Sequence, residues 1–140
     1  MKWIGSFTID ELLNNCLNDS YPWPPEANGI YVISRNKWTS KPTKDCIPLY
    51  IGGNTGKSKR FLTRIGDLIA DTFGFFGEET GHHSGGQTLY RYCKENNLNP
   101  KSLYVGWLKN CHCARCKENE IYDQLQPLLN KSRPPECIKH

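Results

Sequence analysis

The sequence predicts one α+β domain, in which a small antiparallel sheet is flanked by helices. Two short segments rich in β-branched and aromatic residues, 30–34 and 49–52, lie close enough in the chain to pair with each other. Later segments repeat apolar residues at helical spacing, and one more β-rich segment lies between them. The 140 residues fit one compact domain, and a hydrophobic content of 37% can supply one core. The expected order of elements is α-β-β-α-α-β-α, with three strands in the sheet.

The chain begins with a predicted helix over residues 8–17, because Thr8 and Glu11 form a capping box ahead of apolar residues at helical spacing. The prolines that follow cannot continue this helix and predict a stiff connector. We therefore divide the chain into an N-terminal helix with its connector, a main domain and a C-terminal tail, which comprise residues 1–28, 29–132 and 133–140.

The main domain is expected to contain three strands and three helices. A long polar connection over 35–45 joins the first two strands, and the third strand is predicted over 103–108. Apolar residues that recur three or four positions apart predict helices over residues 58–71, 88–95 and 114–126. The segment 74–86 holds five of the 12 glycines and is interpreted as a loop.

Charge and hydropathy narrow the class of protein. The net charge is +4 and the pI is near 8.7, which is compatible with a nucleic-acid partner. The basic residues concentrate between residues 57 and 64, where no acidic residue occurs, although a solvated helix face would give the same pattern. No apolar run has the length of a membrane span and no signal peptide is evident, so a cytoplasmic protein without a membrane partner is expected.

Two tripeptides and a C-terminal pattern carry a resemblance to a known family. Gly29-Ile30-Tyr31 and Tyr50-Ile51-Gly52 stand on consecutive predicted strands and precede a basic helix. Near the C-terminus, a helical glutamate is followed by a proline and an asparagine, at Glu118, Pro127 and Asn130. The chain resembles the GIY-YIG endonucleases in these features, which together span residues 29–130.

The resemblance implies a three-stranded antiparallel sheet flanked by helices, and a cleft in which one divalent metal ion, Mg²⁺ or Mn²⁺, assists the hydrolysis of DNA phosphodiester bonds. Such hydrolysis requires an activated water, positive charge near the phosphate and protonation of the leaving oxygen. Tyr31 resembles the family tyrosine that contacts the attacking water, and Tyr50 resembles its partner. A phenol with a pKa near 10 is a poor base at neutral pH, so a cation must assist. Either tyrosine could instead be a core aromatic on a strand.

Arg60 and Arg64 are alternative candidates for the arginine that clamps the scissile phosphate, a task that suits the guanidinium group. They are four residues apart and share one helix face, so both could reach the same phosphate. The two alternatives stay open at this point.

Glu118 is the candidate metal ligand, since a single carboxylate can hold a largely hydrated magnesium ion. The alternative is an exposed helical glutamate, and Glu120 serves as the internal control because it points to another face. Asn130 is expected to support the site, or to be a turn residue.

The family histidine that follows the arginine is absent from this sequence. His83 or His82, in the glycine-rich loop, could replace it as a proton donor. We assign His83 to catalysis and expect DNA contacts from Lys57, Lys59, His82 and Lys131.

The seven cysteines are an odd number and favour reduced thiols over a disulfide framework. Cys111, Cys113 and Cys116 form a possible structural zinc site, to be completed by Cys93, Cys46, Cys137 or a loop histidine. The spacing is not the paired Cys-x-x-Cys of strong zinc modules, and buried free thiols are the alternative.

Two other functions remain open. The domain could bind DNA without cutting it, or it could be a zinc-braced interaction protein that uses Trp23, Trp38 and the proline segment as its contact surface. Because no large DNA-reading domain is expected, specificity would come from the loops 35–45 and 72–86, from a homodimer or from a partner protein.

Overall fold

A computed structural model describes residues 2–17, 29–54, 72, 84–109 and 111–138. These residues form an α+β fold with an antiparallel sheet and helices on both of its faces. The strands are β1 (Ile4–Thr8), β2 (Gly29–Ser34), β3 (Pro48–Asn54) and β4 (Tyr104–Lys109); the helices are α1 (Ile9–Leu17), α2 (Ser84–Glu95) and α3 (Ala114–Leu125). The helix expected over 58–71 lies outside the described residues.

The sheet has four strands in the order β1-β4-β2-β3, and every neighbouring pair is antiparallel. The prediction of a three-stranded sheet is therefore wrong by one strand, because β1 was not expected. β1 pairs with β4 through Ile4 opposite Trp107 and Phe7 opposite Val105. Its five residues include a glycine and two hydroxyl residues, so its local strand propensity is weak and pairing with β4 defines it.

The three predicted helices that fall within the described residues are confirmed, with changes of one to four residues at their ends. The capping box is present, since the Glu11 N–H donates to Thr8 Oγ1 at 3.0 Å and the Thr8 N–H donates to Glu11 Oε1 at 3.3 Å. α2 begins at Ser84 rather than residue 88, so the end of the expected loop 74–86 is helical. None of the described helices is long and apolar enough to cross a membrane.

The two faces of the sheet bury different cores. On the face that we call the tyrosine face, Tyr31 and Ile33 of β2 pack with residues of α1 and α2. On the opposite face, Ile30 and Val32 pack with α3. This division follows from the alternation of side chains along a strand.

A β-bulge changes the alternation on β3. Ile33 is opposite Tyr50 and Ser34 is opposite Pro48, so Leu49 is an extra residue in the ladder. Leu49 and its neighbour Tyr50 both pack into the tyrosine-face core as a result.

The outer edge of β3 is covered by the segment that follows α3. The backbone N–H groups of Leu128 and Leu129 donate to the carbonyl oxygens of Pro48 and Leu49, at 3.1 and 2.8 Å. This cover satisfies hydrogen-bonding groups that a bare edge strand would expose. It also brings the residues after Pro127 beside Tyr50.

Candidate functional site

The two tyrosines of the signature lie side by side on the tyrosine face. Their ring centroids are 6.2 Å apart, and Tyr31 is completely buried whereas Tyr50 is partly exposed. Gly52 is opposite Tyr31 in the ladder, and a Cβ added there would lie 2.5 Å from the Tyr31 hydroxyl oxygen and 3.0 Å from the Tyr50 ring. The glycine of the second tripeptide therefore leaves space for both phenols.

The Tyr50 phenol extends to the beginning of α2. A Cβ added at Gly85 would lie 2.7 Å from the Tyr50 hydroxyl oxygen. Backbone N–H groups in the first turn of a helix have no partner within the helix and favour nearby anions. The hydroxyl of Tyr50 thus lies beside the first turn of α2.

A small cleft opens beside Tyr50. Its volume is about 160 Å³, and it is lined by Tyr50, Gly85, Thr88, Leu129, Asn130, Lys131 and Ser132. Ordinary small-molecule pockets have volumes of roughly 300 Å³ or more, so this cleft is smaller than a typical ligand pocket. Lys131 is exposed and supplies the cationic side chain of the lining.

Asn130 holds the edge of β3 with its side-chain amide. Its Oδ1 accepts from the Ile51 N–H and its Nδ2 donates to the Ile51 carbonyl, both at 2.9 Å. The amide continues the pairing of the edge strand between Tyr50 and Gly52. Asn130 therefore acts on the candidate site by positioning the strand.

Glu118 is buried, with 7% of its surface exposed. It lies on one stripe of α3 with Ala114, Ile121 and Leu125, which pack against the face that carries Ile30 and Val32. Glu120 is exposed and forms an ion pair with Lys117 at 3.2 Å. The alternative of an exposed helical glutamate is therefore wrong for Glu118, while Glu120 has the expected exposure of a control.

The tyrosines and the Glu118 helix lie on opposite faces of the sheet. Tyr31 and Tyr50 belong to the tyrosine-face core, whereas α3 packs on the other face. Among the candidate residues, the structure brings together Tyr31, Tyr50, Asn130 and Lys131. The remaining candidates of the basic helix and the loop lie outside the described residues, namely Lys57, Lys59, Arg60, Arg64, His82 and His83.

Cys111 does not belong to a thiol cluster, which corrects the expected zinc set. It is buried in the core under α3, and its thiol donates to the Leu108 carbonyl over 4.0 Å. Cys46 and Cys93, two of the residues expected to complete the zinc site, are also buried and lie outside the group of neighbouring thiols. Burial raises the pKa of each of these three thiols, to about 11 for Cys93.

Three other thiols do come together. The sulfur atoms of Cys113, Cys116 and Cys137 all lie within 4.8 Å of one another, and those of Cys113 and Cys137 are 3.6 Å apart. A hydrogen bond from the Cys116 N–H lowers the pKa of the Cys113 thiol. The hydrogen bond between the side chains of Cys113 and Cys116 raises the pKa of Cys116 to about 12. Cys113-Ala114-Arg115-Cys116 is itself one Cys-x-x-Cys, a signal that finds two of the three residues. Cys137 is distant in sequence, so only the fold reveals it.

Trp38 is also placed differently from its expected role in a contact surface. It is buried, with its ring against Gly106 and in edge contact with Trp3 at a centroid distance of 5.6 Å. Trp23 lies outside the described residues.

The chain matches no protein-family model, and no curated protein or solved structure is significantly similar to it.

Proposed function

We propose that this protein is a metal-dependent endonuclease that hydrolyses phosphodiester bonds in DNA. One observation carries the proposal: the tyrosines of the two tripeptides lie together over Gly52, beside a small polar cleft. The order of tyrosines, arginines, glutamate and asparagine along the chain agrees with the GIY-YIG resemblance.

Tyr50 is the phenol that meets the substrate in this proposal. It is partly exposed and lines the cleft, whereas Tyr31 is fully buried and holds the Tyr50 ring in position. The Tyr50 hydroxyl orients the attacking water or a phosphate oxygen. Lys131 contributes positive charge at the same cleft, so DNA affinity should fall as salt rises.

The proposed divalent ion rests on Glu118. A magnesium or manganese ion supplies charge stabilisation for the phosphate in the transition state. Glu118 is the buried carboxylate of α3, and the GIY-YIG resemblance assigns the metal ligand to it. Its helix packs on the face of the sheet opposite to the tyrosine face.

The experiment is a cleavage assay with supercoiled plasmid, in Mg²⁺, in Mn²⁺ and in a chelator. We expect nicking or linearisation in either metal and none in the chelator. Intact plasmid in both metals, with DNA binding retained, would reject the enzyme in favour of the second candidate below.

Glu118→Gln tests the proposed metal ligand in the same assay. The substitution keeps the size of the side chain and removes its charge, so we expect cleavage to fall by about 10²-fold or more while the fold persists. Glu120→Gln is the matched control on the same helix and should retain full activity, because Glu120 is exposed. Full activity of Glu118→Gln would remove Glu118 from the site and leave the nuclease proposal standing.

A module that binds DNA without cutting it is the second candidate. The observation in its favour is the separation of Glu118 from the tyrosines by the sheet. It predicts salt-sensitive DNA binding that does not depend on a divalent ion or on Glu118.

A further inference from the structure

Residues 128–130 pair with the edge of β3, and the segment after them runs back along α3 and contacts it at three successive points. Arg133 binds Asp123 with two hydrogen bonds of 2.9 Å, near the C-terminal end of the helix. Asn119 then donates to the Pro135 carbonyl at 2.9 Å. Residues 133–137 therefore form a strap that lies antiparallel to α3.

The end of the strap reaches the beginning of α3, where Cys137 meets two more thiols. Each step of two residues along the strap matches about one turn of the helix, because two extended residues and one helical turn have similar lengths. This match brings Cys137 to Cys113 and Cys116. The three thiols are thus a consequence of the whole path of the strap.

The sulfur separations agree with those around a tetrahedral metal ion. Zinc–sulfur bonds of about 2.3 Å in a tetrahedron put neighbouring sulfur atoms about 3.8 Å apart. The separation of 3.6 Å between the Cys113 and Cys137 sulfurs is close to this value, and the sulfur of Cys116 is within 4.8 Å of both. A disulfide would require about 2.05 Å, so the observed separations suit a bridging ion better than a bond.

The N-terminus of α3 lies beside one of the three thiols, that of Cys113. Cys113 is the residue that caps α3, and the Cys116 N–H points at its sulfur over 3.4 Å. The partial positive charge at a helix N-terminus favours a thiolate there. All three cysteines are partly exposed, so an ion can reach them.

We propose that Cys113, Cys116 and Cys137 bind one zinc ion, which fastens the end of the strap to the beginning of α3. Three thiolates supply the protein ligands and a water completes the tetrahedron. Binding releases the thiol protons and changes no oxidation state. The inference stands apart from the nuclease, because it concerns thiols on the outer side of α3 and needs no DNA.

The test is a measurement of metal content on the full chain, purified without chelator and under reducing conditions. We expect one zinc per chain, and we expect Cys137→Ser to lose it. Cys111→Ala is the matched control: it removes the neighbouring thiol in the sequence, but that thiol is buried outside the group, so zinc should be retained. Zinc lost from Cys111→Ala and kept by Cys137→Ser would overturn the assignment.

A thiol titration keeps the proposal falsifiable if Cys137→Ser folds poorly. We expect a chelator to make three more thiols of the wild-type chain reactive, and to lower its melting temperature because zinc binds the folded state. Wild-type protein that takes up no zinc when supplied with it in excess, with its thiols reduced, would overturn the proposal. So would a Cys113–Cys137 disulfide that persists in reductant.

Discussion

At Gly52 the absence of a side chain determines where two aromatic rings lie. The Tyr31 phenol lies over this residue and the Tyr50 ring lies beside it. Each tyrosine is an ordinary strand residue by propensity, and the glycine makes them a pair. Glu118 and Glu120 also differ through their positions alone. They are two residues apart on one helix, and the first carboxylate is buried whereas the second is exposed.

Gly52→Ala should therefore destabilise the protein. The added Cβ would overlap the Tyr31 hydroxyl, and overpacking of this kind costs about 1–3 kcal/mol in the free energy of unfolding. Urea denaturation would measure the loss. In a Tyr31→Phe background the hydroxyl oxygen is gone but the ring carbon at 2.7 Å remains, so the same substitution should cost less without becoming neutral. Equal costs in both backgrounds would mean that the Tyr31 hydroxyl does not constrain Gly52.

At the scale of elements, β3 depends on a partner that is not a strand. Its outer edge is paired by residues 128–130, and the Asn130 amide replaces a backbone peptide unit opposite Ile51. The segment from Pro127 to Asn130 therefore has a structural role. It fixes the strand that carries Tyr50 and forms one wall of the cleft.

Asn130→Ala should destabilise β3 by about 1–3 kcal/mol, since it leaves the N–H and the carbonyl of Ile51 without their partners. Hydrogen exchange of the β3 amides should rise along with the loss in stability. Asn96→Ala is the control, because the Asn96 amide makes one exposed hydrogen bond to the Tyr92 carbonyl and should matter little. An unchanged exchange rate at Ile51 would contradict this account of the edge.

At the scale of the whole molecule, the sequence predicted the features that depend on local patterns. The α+β class, the pairing of β2 with β3, and the helices α1 and α3 follow from periodicity, capping and turn residues. β1 did not, because a short strand with a glycine acquires its identity from pairing with β4, which lies about a hundred residues later.

The candidate site was predictable in part for the same reason. Tyr31 and Tyr50 lie side by side, and Asn130 binds the edge strand that carries Tyr50. The β-bulge at Leu49, the burial of Cys111 and the approach of Cys137 to Cys113 depend on tertiary packing that no local pattern records. That Tyr31 and α3 lie on opposite faces of the sheet is likewise determined only when the sheet is assembled.

We propose that a phosphodiester is cut at the cleft beside Tyr50, and the rate of plasmid cleavage by Tyr50→Phe is the measurement that decides this. This variant keeps the ring over Gly85 and removes only the hydroxyl, so we predict a loss of about 10²-fold in the rate in Mg²⁺, with the melting temperature of the variant measured beside it. Tyr92→Phe is the matched control, because the Tyr92 hydroxyl does not line the cleft and accepts a hydrogen bond of 3.2 Å from Arg35. This variant should cleave like the wild type. Wild-type cleavage by Tyr50→Phe would contradict the account, because the hydroxyl at the cleft would then have no part in the reaction.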